Sequence, residues 1–139
     1  MKMTEQEIFD KLVPLVRQVT GAKAEQVTMD AYLVGDLGAE SIDLLDLSFL
    51  IEETFAVMLE PDEFENRARE QLGDEEYDDG GVLTARAAEQ LRIALPEVNP
   101  ELLREGMRKI EVPAVLNVAV FVHLIGDKLA SKPQEANCA

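Results

Sequence analysis

Cysteine is nearly absent from the chain. The only one, Cys138, lies close to the C-terminus. One thiol cannot build a disulfide framework, which suits a reducing compartment. Tryptophan is missing altogether and aromatic residues make up 5% of the sequence, so Leu, Ile, Val and Ala must fill any core. Basic residues are scarce, at 13 Lys and Arg against 28 Asp and Glu, for a formal charge of −15. Such a chain repels nucleic acid and anionic membranes. Its acidity serves solubility, or it attracts partners with basic docking patches. Long apolar runs are also lacking. The longest, Val112 to Ile125, is interrupted by Pro113, Asn117 and His123 and is too short to span a bilayer. No apolar segment follows Met1, which predicts no secretory signal and a cytoplasmic location.

What is present favours helix. The chain has 139 residues, 47% of them apolar, enough for one domain with a real core. Its Ala, Leu and Glu content favours helix over sheet. Thr4-Glu5-Gln6-Glu7 is a capping box opening a helix in which Ile8, Leu12, Leu15, Val16 and Val19 follow at helical spacing. Pro14 predicts a kink or short break within it, and Gly21 is a natural C-cap. From Ala22 to Glu40 no period persists, and this reads as a long loop pinned by Val27, Tyr32, Leu33 and Leu37.

Ser41 is placed to cap a second helix, Ile42 to about Phe55, which is apolar over more than one face. Such a helix is buried on one side and free to receive something on the other. Pro61 and Asp62 open a third helix to about Leu72, and Asp74 to Gly81 reads as an acidic linker. Thr84 to Leu95 is expected to be helical, as is Glu101 to Lys109 after Asn99 and Pro100. A last helix is expected from near Pro113 to about Leu129, followed by a flexible tail, 131–139. The expectation is an all-α fold of five or six helices, with short loops except one.

The informative block is Asp36-Leu37-Gly38-Ala39-Glu40-Ser41-Ile42-Asp43-Leu44-Leu45-Asp46-Leu47. It sets a serine at a loop-to-helix junction amid carboxylates. A serine there commonly serves only as an N-cap. The same corner suits a phosphate, because free N–H groups and the positive helix end stabilise an anion. Residues 36–43 resemble the phosphopantetheine attachment motif of acyl carrier proteins, Asp-Leu-Gly-Ala-Asp-Ser-Leu-Asp. They depart from it at Glu40 and Ile42, both conservative changes. The similarity continues through Asp46-Leu47 to Ile51-Glu52-Glu53-Thr54-Phe55. It covers about residues 4–63 and 110–130 as the core of a single carrier domain.

The resemblance implies an acyl-carrier-like helical bundle that is not an enzyme and is a monomer. It implies that a phosphopantetheinyl transferase attaches 4′-phosphopantetheine from coenzyme A to Ser41. Acyl intermediates of fatty-acid or specialised lipid synthesis would then be carried as thioesters. Asp36, Glu40, Ile42, Asp43, Asp46, Glu52 and Glu53 are the implied docking residues for acyl-processing enzymes with basic patches, such as a ketosynthase, acyltransferase or acyl ligase. Leu45 and its aliphatic neighbours are read as core packing, with an acyl groove between helices as the other reading. A carrier in polyketide or peptide assembly, or an unmodified acidic adaptor, are the alternatives. The departure from the family is residues 64–109, an additional helical insert holding seven of the thirteen basic groups. It is either a tolerated extension or a lid or partner-selecting element.

Other patterns carry little. A calcium loop starting at Asp74 would have Asp79 where Gly is needed and Ala85 where Glu is needed. Gly-Ala-Glu-Ser-Ile is not a nucleophile elbow. His123, the one histidine, reads as a core or partly exposed residue. No Cys and His spacing suits zinc.

Overall fold

The computed structural model describes residues 3–59, 72 and 78–131. Helix α1, Glu5–Thr20, opens on the expected capping box, with the Glu7 N–H donating to Thr4 Oγ1 and the Thr4 N–H to Glu7 Oε1. It runs unbroken through Pro14, so the expected break is absent. Tertiary burial of Ile8, Leu12 and Val16 outweighs the one hydrogen bond that proline forfeits. Gly21 closes the helix at φ 77°, the left-handed conformation that glycine adopts without strain.

The long loop, 22–40, is held rather than free. It contains a 3₁₀ turn, Ala24–Gln26. Val27, Ala31, Leu33 and Ala39 are buried in the core. Backbone bonds from Leu33 N–H to Leu116 O, Val118 N–H to Ala31 O and Ala119 N–H to Met29 O lace it to the far end of the chain. Helix α2, Ser41–Phe55, follows. It packs on α1, and α1 packs in turn on the last helix.

The fold is all-α in character, as expected, but residues 78–117 differ in detail. The expected third helix and the acidic stretch 74–77 lie outside the described residues, apart from Leu72, as does the tail beyond Ser131. The end of the supposed linker folds as a short hairpin, β1 Asp78–Asp79 with β2 Val82–Leu83. Gly80 and Gly81 both have positive φ, at 64° and 91°, which a type I′ hairpin turn requires. Helix α3, Ala85–Ala94, falls within the expected Thr84–Leu95, and Thr84 is its cap, with Oγ1 accepting the Ala87 N–H. The helix expected at 101–109 does not form. Asn99 and Pro100 open only a 3₁₀ turn, Pro100–Leu102. Beyond it the backbone spends its hydrogen bonds on β2, from Gly106 N–H to Leu83 O and from Leu83 N–H to Met107 O.

The last helix, α4, is Val118–Ser131 rather than one starting at Pro113. Pro113 sits instead in a 3₁₀ segment, Lys109–Val115. Asn117, buried, caps α4 through Oδ1 to the Val120 N–H, and its Nδ2 donates to Glu97 O. Leu83, Leu91, Leu95, Val98 and Leu103 belong to the same buried cluster as Ile8, Leu12, Leu47 and Ile51.

His123 ties this region to the bundle. On α4, its Nδ1 meets the Glu97 carboxylate and its Nε2 lies 3.2 Å from Glu5 Oε2 of α1. The hydrogen bond to Glu97 raises its pKa above the ordinary 6.5. Partial burial opposes that rise, and the charges of Glu97 and Glu5 reinforce it. The contribution to stability is therefore complete below about 6.5 and fades as pH climbs through the higher folded-state value. In chemical denaturation, the midpoint gap between wild type and His123→Ala should be widest in mildly acidic solution and narrow toward alkaline pH. A gap independent of pH would mean that the imidazole only fills space.

Candidate functional site

The loop before α2 is shaped by its own motif. The Asp36 carboxylate accepts the Tyr32 N–H at 2.9 Å, and the Asp36 and Leu37 N–H groups donate back to Tyr32 O. Gly38 turns the chain at φ 74°, and Ala39 N–H then bonds Leu33 O at 2.8 Å. These bonds deliver Ser41 to the first turn of α2 with its side chain exposed.

Ser41 is not the N-cap. Glu40 is, and its N–H donates to Asp43 Oδ2 at 2.9 Å. The Asp43 carboxylate, three residues on, reaches back as a capping box does. Among the described residues no hydrogen bond occupies the Ser41 hydroxyl. The Ser41 and Ile42 N–H groups precede the first bond of the helix, Leu44 N–H to Glu40 O.

Beside Ser41 opens a cavity of about 490 Å³. α2 lines it with Leu44, Leu45 and Ser48, and α4 with Phe121 and Leu124. Ile110, Pro113 and Ala114 of the 3₁₀ segment form a third side. Leu45 is 41% exposed and faces this space, so the reading of it as core packing is corrected. Ile110 was not singled out in the sequence; its place in the wall depends on Lys109, whose N–H holds Gly81 O at 2.9 Å.

The remaining expected residues fall into two groups. Asp36, Asp43 and Glu52 each accept a backbone N–H, from Tyr32, Glu40 and Leu59 respectively, and so shape the turns around α2. Glu40, Asp46 and Glu53 are exposed. Ile42 is 63% exposed and Phe49 55%, and at a spacing of seven they share one face of α2. Phe49 escaped the sequence reading because an apolar residue in an apolar helix carries no signal of its exposure.

No group of three or more His, Cys, Asp or Glu among the described residues is placed to hold a metal ion. No helix among them is long and apolar enough to cross a membrane.

The sequence profile described as a phosphopantetheine attachment site matches residues 10–72. The acyl carrier protein of Guillardia theta is 42% identical over 60 residues, spanning 43% of this chain and 74% of the relative. That of Petrotoga mobilis is 35% identical over 63 residues, 45% of this chain and 74% of the relative. That of Thermotoga maritima is 37% identical over 62 residues, 45% and 76%. No solved structure matches the chain.

Proposed function

The chain belongs to the acyl carrier protein family, and from that membership we propose that it carries acyl groups as thioesters on a 4′-phosphopantetheine arm attached to Ser41 Oγ. It is a carrier rather than an enzyme. When bound, the arm supplies a flexible terminal thiol that holds the acyl group.

The residues present fit that group. Ser41 offers an exposed hydroxyl at the N-terminal turn of a helix, where a phosphodiester gains from the helix end. Glu40 and Asp43 complete the cap between themselves and leave the hydroxyl available. The observation that carries the reading is the cavity of about 490 Å³ opening beside Ser41. Leu44, Leu45, Ile110, Phe121 and Leu124 give it apolar walls, which favour a fatty acyl cargo over a peptidyl one whose amides they would leave unpaired. Acyl transport for fatty-acid or specialised lipid synthesis is accordingly the role we assign. Residues 64–109 are an insert within a single carrier domain, and through Gly81 they brace the Lys109–Val115 wall of the cavity.

The partners are a phosphopantetheinyl transferase and acyl-processing enzymes with basic docking patches. We place the protein in the cytoplasm as a monomer. Docking runs along α2, where the apolar pair Ile42 and Phe49 is flanked by Glu40, Asp46 and Glu53. Asp36, Asp43 and Glu52 add charge to the same region. Asp46→Lys should slow modification by the transferase about tenfold at low salt, with the deficit shrinking as salt screens the encounter. Initial rates across a salt series check this; a deficit insensitive to salt would remove Asp46 from the docking face.

The test of the function is intact mass after incubation with coenzyme A and a broad-specificity phosphopantetheinyl transferase. A gain of one phosphopantetheine supports the carrier. An unchanged mass for folded protein overturns it in favour of an adaptor that only binds partners.

A further inference from the structure

The cavity beside Ser41 is lined by apolar residues apart from Glu40 and Ser41 itself and one further residue of α2, Ser48. Ser48 lies seven residues after Ser41, so it stands on the same face of α2 about 10 Å further along the axis. It lines the cavity and is only 7% exposed. Its hydroxyl proton is already committed, since Oγ donates to Leu44 O at 3.1 Å. Among the described residues nothing donates to Oγ in return. A buried oxygen thus faces an apolar space with its acceptor capacity unused. In a cavity built only to hold a plain hydrocarbon chain, an Ala or Val at this position would avoid that cost.

Resting on the carrier reading above, we propose that Ser48 is a specificity-determining residue and that the preferred cargo is a hydroxylated acyl chain. The chain's hydroxyl donates to Ser48 Oγ while Oγ continues to donate to Leu44 O. Both oxygens are then satisfied without changing the serine rotamer. A ketone has no proton to give. It would have to take the Ser48 proton away from Leu44 O, so the site separates hydroxyacyl from ketoacyl groups. Capacity agrees with a chain of useful length. A dry cavity of about 150 Å³ holds a benzene ring, and this one is about three times that size at about 490 Å³.

The experiment loads the full chain through coenzyme A thioesters of three cargoes about twelve carbons long. They are an unsubstituted chain, its 3-hydroxy derivative and its terminal-hydroxy derivative. Intact mass first confirms loading at Ser41; failure at that step sinks the carrier reading itself. Thioester cleavage by hydroxylamine is then timed, each rate normalised to the same thioester on free pantetheine. In the wild type at least one hydroxylated cargo should be cleaved about two- to tenfold more slowly than the unsubstituted one, the range one buried hydrogen bond supports. Ser48→Ala should erase that advantage, the hydroxylated cargo losing its protection while the unsubstituted one is held at least as well as in the wild type, since the unused acceptor no longer faces it. Leu45→Ala should speed cleavage of all three cargoes alike, reporting simple loss of apolar wall. Equal normalised rates in the wild type, or an advantage that survives Ser48→Ala, would overturn the proposal. Ser48 would then be a helix serine that only bonds its own backbone.

Discussion

Ser41→Ala should accept no phosphopantetheine at all, yet fold and melt almost as the wild type does. The two halves of this result come from one geometric fact. Ser41 begins α2 but does not cap it: the Glu40 N–H is held by the Asp43 carboxylate, and the serine hydroxyl has no partner among the described residues. Removing an exposed, unbonded hydroxyl at the first helical position shifts stability by no more than about 0.5 kcal/mol. Asp43→Ala is the opposite case. It should still be modified, while losing about 1 kcal/mol because the cap bond at 2.9 Å disappears. Intact mass and a denaturation midpoint on both variants separate attachment from architecture. A mass gain in Ser41→Ala would place the arm elsewhere. A loss of stability in Ser41→Ala as large as that of Asp43→Ala would restore the serine to the capping role that its position at a loop-to-helix junction first suggests.

What the sequence reveals divides along the range of the interactions involved. Thr4 with Glu7, and Gly21, are legible because each cap is made by residues within a few positions. The attachment loop is legible for the same reason: Asp36 bonds Tyr32 and Gly38 supplies the left-handed turn. Residues 101–109 mislead because their helical signals are local while Gly106 N–H and Met107 O bond Leu83 of β2, more than twenty positions earlier. Pro113 misleads in the same way. It looks like a helix start, but Asn117 is the residue held from outside, by Glu97 O, and it starts α4. The cavity was the least visible feature. Leu45 and Ser48 are ordinary members of an apolar helix until Ile110 and Phe121, over sixty positions away, are set opposite them.

The same long-range packing predicts the second large effect. Leu91→Ala, in α3, should destabilise the whole protein by about 2–5 kcal/mol, a large part of the 5–15 kcal/mol typical of a domain. Leu91 is fully buried and joins Leu83, Leu95, Val98 and Leu103 in one cluster with Ile8, Leu12, Leu47 and Ile51. Residues that look like an insertion into a smaller carrier therefore complete its core. The loss should appear as a single transition, with helical ellipticity and a probe at Tyr32, whose hydroxyl accepts the Asn99 N–H, moving together. Leu47→Ala, in α2, should behave alike, because both side chains are withdrawn from one cooperative unit. A separate early transition in Leu91→Ala, with Ser41 loading undisturbed, would instead make the segment an independent appendage. Shared burial argues against that outcome. Deleting 64–109 would strip those five side chains from the cluster and leave their neighbours on α1 and α2 facing water, so the truncated chain should lose its cooperative unfolding transition altogether.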